Sequence, residues 1–187
     1  MIKRMVDIIG ALIALVVFAI PIILVALAIK WSSSGSVLYW SQRIGRYGQP
    51  FWMPKFRSMR VDTPQVATHL LKNPQHFLTP IGSFIRRTSL DELPQIWSIL
   101  KGDLSLVGPR PALYNEYDWL ELRAMIGIDQ IRPGLTGWAQ INGRDALTVK
   151  EKVRFEEEYL KKKSLGFDLY IIWKTISLVL KREGISH

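Results

Sequence analysis

From Ile8 to Ile29 the chain carries no charged side chain, and Pro21 sits inside that stretch. An unbroken helix of this length reaches about 33 Å, against about 30 Å for the hydrocarbon core of a bilayer. The stretch is long for the apolar part of a secretory signal, and Ala28-Ile29-Lys30-Trp31 makes a poor cleavage site. Two membrane readings follow. In a spanning helix the two ends lie on opposite sides. However, Lys3 and Arg4 precede the stretch and Lys30, Arg43 and Arg46 follow it, so the positive-inside rule draws both ends to the cytoplasm. Pro21 removes a backbone donor and its ring crowds the preceding turn, so a kink is expected there. A re-entrant helix resolves the conflict by turning back, its arm from Ile22 to Ile29 covering about 12 Å. Both readings stand at this point. Trp31, Tyr39, Trp40 and Trp52 form an aromatic group of the kind found at a membrane–water interface.

The remaining chain is punctuated by glycine and proline. Ser32 to Ser36 reads as a linker. Val37 to Trp40 and Phe51 to Met59 read as strands of a small hairpin around a turn at Arg43 to Pro50. Val61 to Pro80, with prolines at 64, 74 and 80, reads as loops around one short helix. Helical stretches are expected over Ile81–Arg87, Ser89–Leu100, Leu113–Ile126, Lys150–Lys163 and Phe167–Arg182. The third is expected to present Leu113, Tyr117, Leu120 and Ala124 on one face. Asp168 and Lys174 interrupt the last too much for it to span a bilayer, so it lies at a membrane surface or packs on a soluble core. The fold class is thus α+β, mainly α, with residues 1–31 as a membrane segment and 32–187 as the body.

The chain has 187 residues, a formal net charge of +9 and no cysteine. Disulfide and thiolate chemistry are excluded, and the basic balance favours anionic partners. His69, His76 and His187 lack the spacing of zinc ligands. A metal would be a hard divalent cation such as Mg²⁺, held by carboxylate and phosphate oxygens.

Arg86-Arg87-Thr88-Ser89-Leu90-Asp91-Glu92-Leu93-Pro94-Gln95 is the segment richest in chemistry. Ser89 and Glu92 have the spacing of a helix capping box, which would give both acids a structural role. Pro94 argues for a later start, with Pro94 in the first helical position and both carboxylates in the lead-in loop. In either case two carboxylates lie beside helix amides and two arginines, a setting that keeps them ionised and attracts phosphate. Arg110, Arg132 and Arg144 each stand in a loop stiffened by glycine or proline, and with Lys55 and Arg57 they read as a phosphate-binding set.

These motifs together resemble the bacterial sugar transferases, the monotopic phosphoglycosyl transferases. The resemblance runs from Lys3-Arg4-x-x-Asp7 through Lys55-Phe56-Arg57-Ser58-Met59, Ser89 to Gln95 and Lys101 to Pro111, to Arg132-Pro133-Gly134-Leu135-Thr136-Gly137-Trp138. The length resembles the family's minimal catalytic unit, without the added N-terminal domains of larger members. The resemblance implies a re-entrant helix broken at Pro21, interfacial helices, and a loop-rich active site on the cytoplasmic face of a bacterial inner membrane. It implies transfer of a sugar phosphate from a UDP-sugar to polyprenyl (undecaprenyl) phosphate, with Asp91 as nucleophile and Mg²⁺ held by Asp91 and Glu92. Lys55, Arg86, Arg110 and Arg144 would bind phosphate or nucleotide. Expected partners are the UDP-sugar, polyprenyl phosphate and membrane lipid, with no nucleic acid; a homodimer stays open. Where the family commonly has an Asp three residues before a Tyr, this chain has Glu156 before Tyr159. Glu156 is therefore a substrate-side candidate with a longer reach. Two readings compete: a non-catalytic binder of anionic lipid, and a phosphohydrolase that uses the same carboxylate with water as acceptor.

Overall fold

The computed structural model describes residues 2–64, 73–143 and 146–181. The apolar N-terminal stretch forms two helices, α1 (Ile2–Val17) and α2 (Ala19–Ser32), bent by 61°. The bend falls at Phe18, three residues before the proline. This is where proline acts, because its ring crowds the carbonyl four residues back, that of Val17. The amide–carbonyl ladder is intact on either side, with Phe18 N donating to Ala14 O at 2.8 Å and Ile22 N to Phe18 O at 2.9 Å. Among the described residues no single helix is long and apolar enough to cross a membrane, whereas the bent pair together has the length and composition. Val16, Val17 and Ile20 at the bend are 62–78% exposed, so the tip offers an apolar surface with no protein against it.

The other ends of the two helices pack on the body. Ala11 of α1 lies in a core with Phe51, Met53, Ile96, Ile99 and Leu104, and Val25 and Ile29 of α2 pack with Phe56 and Ile85. Lys3, Arg4 and Asp7 all make polar contacts there. Arg4 Nη1 and Nη2 donate to the Ile99 and Leu100 carbonyls at 2.6 and 2.9 Å, and Asp7 Oδ1 accepts from Ser105 Oγ and Leu106 N at 2.9 and 3.0 Å. Lys3 Nζ pairs with Asp168 at 2.6 Å.

The hairpin forms as expected, with its first strand longer, its second shorter and its turn tighter than read: β1 (Leu38–Ile44) runs antiparallel to β2 (Pro50–Phe56), and Tyr39 faces Lys55. Short helices α3 (Gly82–Arg87) and α4 (Ile96–Lys101) flank a 3₁₀ turn over Leu90–Gln95. A second sheet escaped the sequence reading. β3 (Ser105–Val107) pairs in parallel with β4 (Gly134–Thr136), joining two glycine-bearing loops. The pairing demands glycine. A Cβ on Gly134 would stand 2.0 Å from Gly108 N, and one on Gly137 2.0 Å from Gly108 O.

Helix α5 (Tyr117–Met125) is shorter than the expected Leu113–Ile126 and is rotated from the expected face. It buries Trp119 and Arg123, while Tyr117 is 72% exposed. The apolar spacing misled because the buried face is organised around a charge. The chain ends its described part in a four-residue helix, α6 (Trp138–Ile141), then α7 (Val149–Lys162) and α8 (Leu165–Lys181), which enclose Val107, Tyr159 and Ile171.

Candidate active site

The turn that carries the acids is shaped by its neighbours. α3 ends with Thr88 Oγ1 donating to Phe84 O at 2.8 Å, and Ser89 adopts a left-handed conformation at φ 55°. That reverses the chain into the Leu90–Gln95 turn. Leu90 and Leu93 then pack under it against Val25, Ile29 and Phe56, so α2 supports the acids from below. Neither helix start read from the sequence forms, since both acids and Pro94 lie inside the 3₁₀ turn. Ser89 makes no capping hydrogen bond, and the α-helix begins only at Ile96. Glu92 instead receives Lys55 Nζ at 2.9 Å and lies 3.6 Å from Arg110 Nη2.

Four sequence-named residues therefore meet: Lys55 from β2, Asp91 and Glu92 from the turn, and Arg110 from the loop after β3. Arg86 joins them electrostatically. Burial pushes the Asp91 carboxyl up to about 6, opposed by Lys55, Arg86 and Arg110 and assisted by repulsion from Glu92. At neutral pH Asp91 is ionised, yet more basic than an ordinary carboxylate. Greater basicity with full ionisation is what a carboxylate nucleophile needs.

Arg43 is a member of the site that motif reading missed. It was read only as a topology-setting charge in a turn, but it ends up largely buried in β1. Burial, and next the nearby Arg110, lower its guanidinium to about 10. Two neighbouring guanidiniums favour an anion between or beside them, with Glu92 and Glu116 offsetting part of the charge. The signal was available: Ser41-x-Arg43 places a serine and an arginine on one side of a strand.

The other named residues have different partners. Arg132 Nε donates to Gly102 O at 2.8 Å, at the opposite end of α4 from Asp91. Arg57, read as phosphate-binding, is 6% exposed and donates through Nη2 to Ser33 O and Oγ at 3.1 and 2.7 Å, tying down the end of α2. Glu156 is 1% exposed and pairs with Arg123. Arg144 lies outside the described residues.

Among the described residues no cluster of three or more histidine or acidic side chains is built to hold a metal. The Asp91–Glu92 pair still fits Mg²⁺, which keeps several waters and is commonly bound by one or two carboxylates together with substrate phosphates. The repulsion from Glu92 that raises Asp91 is the kind of strain a divalent cation relieves.

The family model for "Bacterial sugar transferase" matches residues 1–182. The UDP-glucose:undecaprenyl-phosphate glucose-1-phosphate transferase of Escherichia coli is 40% identical over 94% of this chain and 39% of its own length. The undecaprenyl-phosphate galactose phosphotransferase of Salmonella typhimurium is 36% identical over 97% of this chain and 41% of its own length. The chain thus spans well under half of these two relatives. For the exopolysaccharide production protein ExoY of Rhizobium meliloti, 36% identical, the match covers 98% of this chain and 88% of the relative. On the match of its whole described length, with the Lys55–Asp91–Glu92–Arg110 cluster assembled, this chain belongs to the bacterial sugar transferase family.

Proposed function

We propose that this chain transfers a sugar phosphate from a UDP-sugar to polyprenyl (undecaprenyl) phosphate. The observation that carries the reading is a half-buried carboxylate, Asp91, raised to about 6 beside a cluster in which Lys55 and Arg110 lie 2.9 and 3.6 Å from Glu92. The Escherichia coli relative is named for a UDP-glucose donor and an undecaprenyl-phosphate acceptor, and the Salmonella relative for undecaprenyl phosphate and galactose, which supports this reading.

In the first step an Asp91 carboxylate oxygen attacks the β-phosphorus of the donor. The bond from that phosphorus to the bridging oxygen of UMP breaks, and UMP leaves with the electron pair. Asp91 is left as a mixed anhydride with the sugar phosphate. In the second step an oxygen of the polyprenyl phosphate attacks the same phosphorus, the bond to Asp91 breaks, and the carboxylate is regenerated. No proton need move, because both nucleophiles are already anions. Arg110, Arg86 and Lys55 hold the phosphate oxygens as charge shifts between them. Magnesium bound by Asp91, Glu92 and the donor phosphates would supply further neutralisation of that charge.

The membrane geometry belongs to the same proposal. Residues 1–31 dip into the cytoplasmic leaflet of a bacterial inner membrane and return, with the break at Phe18 produced by Pro21. Residues 32–187 form the catalytic body at the surface. The apolar tip, the charged contacts of Lys3 and Arg4 with the body, and exposed Trp31, Trp97 and Trp173 support it.

Quenching purified enzyme after mixing with Mg²⁺ and labelled UDP-sugar tests the chemistry. One equivalent of UMP and a sugar phosphate on Asp91 are expected. Continued turnover without lipid acceptor would favour the phosphohydrolase, and full activity in Asp91→Asn would end the proposal.

A further inference from the structure

Four consecutive carbonyls of the Arg110 loop accept hydrogen bonds from four separate places. Pro109 O accepts from Gly134 N at 2.8 Å, Arg110 O from Arg123 Nη2 at 2.6 Å, Pro111 O from Arg43 Nη1 at 3.2 Å, and Ala112 O from Ile44 N at 3.0 Å. Two of these donors are guanidinium side chains, and each is secured elsewhere. Arg43 Nε donates to Ser41 Oγ at 3.1 Å. Arg123 is 5% exposed, donates through Nε to Glu156 at 2.8 Å, and stacks 4.0 Å from the Trp119 ring centroid. Pro109 and Pro111 already narrow the backbone freedom of Arg110, which they flank. From this restrained backbone the Arg110 side chain reaches to within 3.6 Å of Glu92.

We infer that Arg123 and Arg43 are positioning residues that clamp the Arg110 loop against the donor diphosphate, and that Glu156 acts through Arg123. The inference rests on the reading of Arg110 as a diphosphate-binding residue. Glu156 serves here as the counter-charge that lets a guanidinium be buried under the loop; an isolated buried charge would be far too costly. Arg123 and Glu156 thus act from beneath the loop, outside the acid cluster.

The test uses UDP with Mg²⁺ as the probe and the full chain in detergent micelles. Arg123→Met/Glu156→Leu removes the clamp and both buried charges together, so no charge is left buried without its partner. Its Kd for UDP is expected to rise about tenfold, the scale of one charge-assisted hydrogen bond, with Tm close to that of the parent. Arg110→Ala weakens UDP binding on its own, and adding the clamp substitutions to it produces little further loss. Arg123→Lys, which keeps the buried charge opposite Glu156 but cannot also reach the Arg110 carbonyl, weakens binding severalfold and decides the matter if the double variant does not fold. Unchanged UDP affinity in a folded clamp variant overturns the inference, as does full additivity with Arg110→Ala. Unchanged affinity in Arg110→Ala overturns its premise as well. Failure of the parent to release UMP from any UDP-sugar strikes the transfer reading alone, because the clamp is read out by binding.

Discussion

The Lys55 ammonium donates to Glu92 Oε1 at 2.9 Å, so the second strand of the hairpin is tied to the turn that carries Asp91. The same ammonium is the largest influence holding the Asp91 carboxyl down against its burial. One lysine thus neutralises one acid and sets the basicity of the other.

Lys55→Met is therefore expected to move Asp91 above its present value of about 6. In the parent, kcat/KM for the UDP-sugar should rise with pH through about 6 and then level, since this ratio reports the free enzyme. In the variant the acid limb should move upward by about 1 pH unit. An unmoved limb would mean that another group titrates there.

Asp91→Asn should abolish UMP release yet stabilise the protein. The carboxyl has an ordinary value of 3.8 and a folded value of about 6. Below the first, both states hold the proton and the folded protein bears no penalty. As pH rises through the second, the folded carboxyl ionises against its burial and stability is lost. Removing the charge should recover on the order of 1–3 kcal/mol at neutral pH, and the gain should vanish below about pH 4. Thermal melts of the two proteins across pH check the sign.

Gly137→Ala should cost about 1–3 kcal/mol, because the added Cβ meets the Gly108 carbonyl oxygen at 2.0 Å and neither backbone can yield cheaply. Since Gly108 begins the Arg110 loop, kcat/KM should fall as well. Gly166→Ala, where nothing stands within 4 Å, is the matched control and should leave the melting temperature nearly unchanged.

The re-entrant path predicts that the start of α1 and the residues after α2 share one side of the membrane. The chain has no cysteine, so single-site labelling is unambiguous. Ile2→Cys and Ser36→Cys should both resist a membrane-impermeant maleimide in intact spheroplasts and both react in inverted vesicles. Opposite behaviour of the two would establish a spanning helix. Pro21→Ala, by restoring the missing donor, should shift the population toward that opposite behaviour.

Much of this architecture could be read from local pattern. Pro21 inside an apolar stretch announced a broken helix, and the hairpin and the charged α7 appeared close to their expected bounds. The face of α5 was misjudged, because Arg123 is buried by a partner 33 residues away rather than by apolar spacing. The β3–β4 pair was missed because three residues per strand leave no period to detect.

Residue order was enough to nominate Asp91 and Glu92, and to nominate the cations in stiff loops for phosphate binding. It was enough because helix breaking, loop stiffening and charge content are effects of neighbours along the chain. Folding chose among those cations: Lys55 and Arg110 face the acids, whereas Arg57 secures α2 and Arg132 secures the end of α4. It also set Arg43 and Arg123 against the carbonyls of the Arg110 loop. A guanidinium has the same chemistry in every loop, and its role is set by which carbonyl or carboxylate comes within about 3 Å of it, a distance decided by packing between segments far apart in the chain.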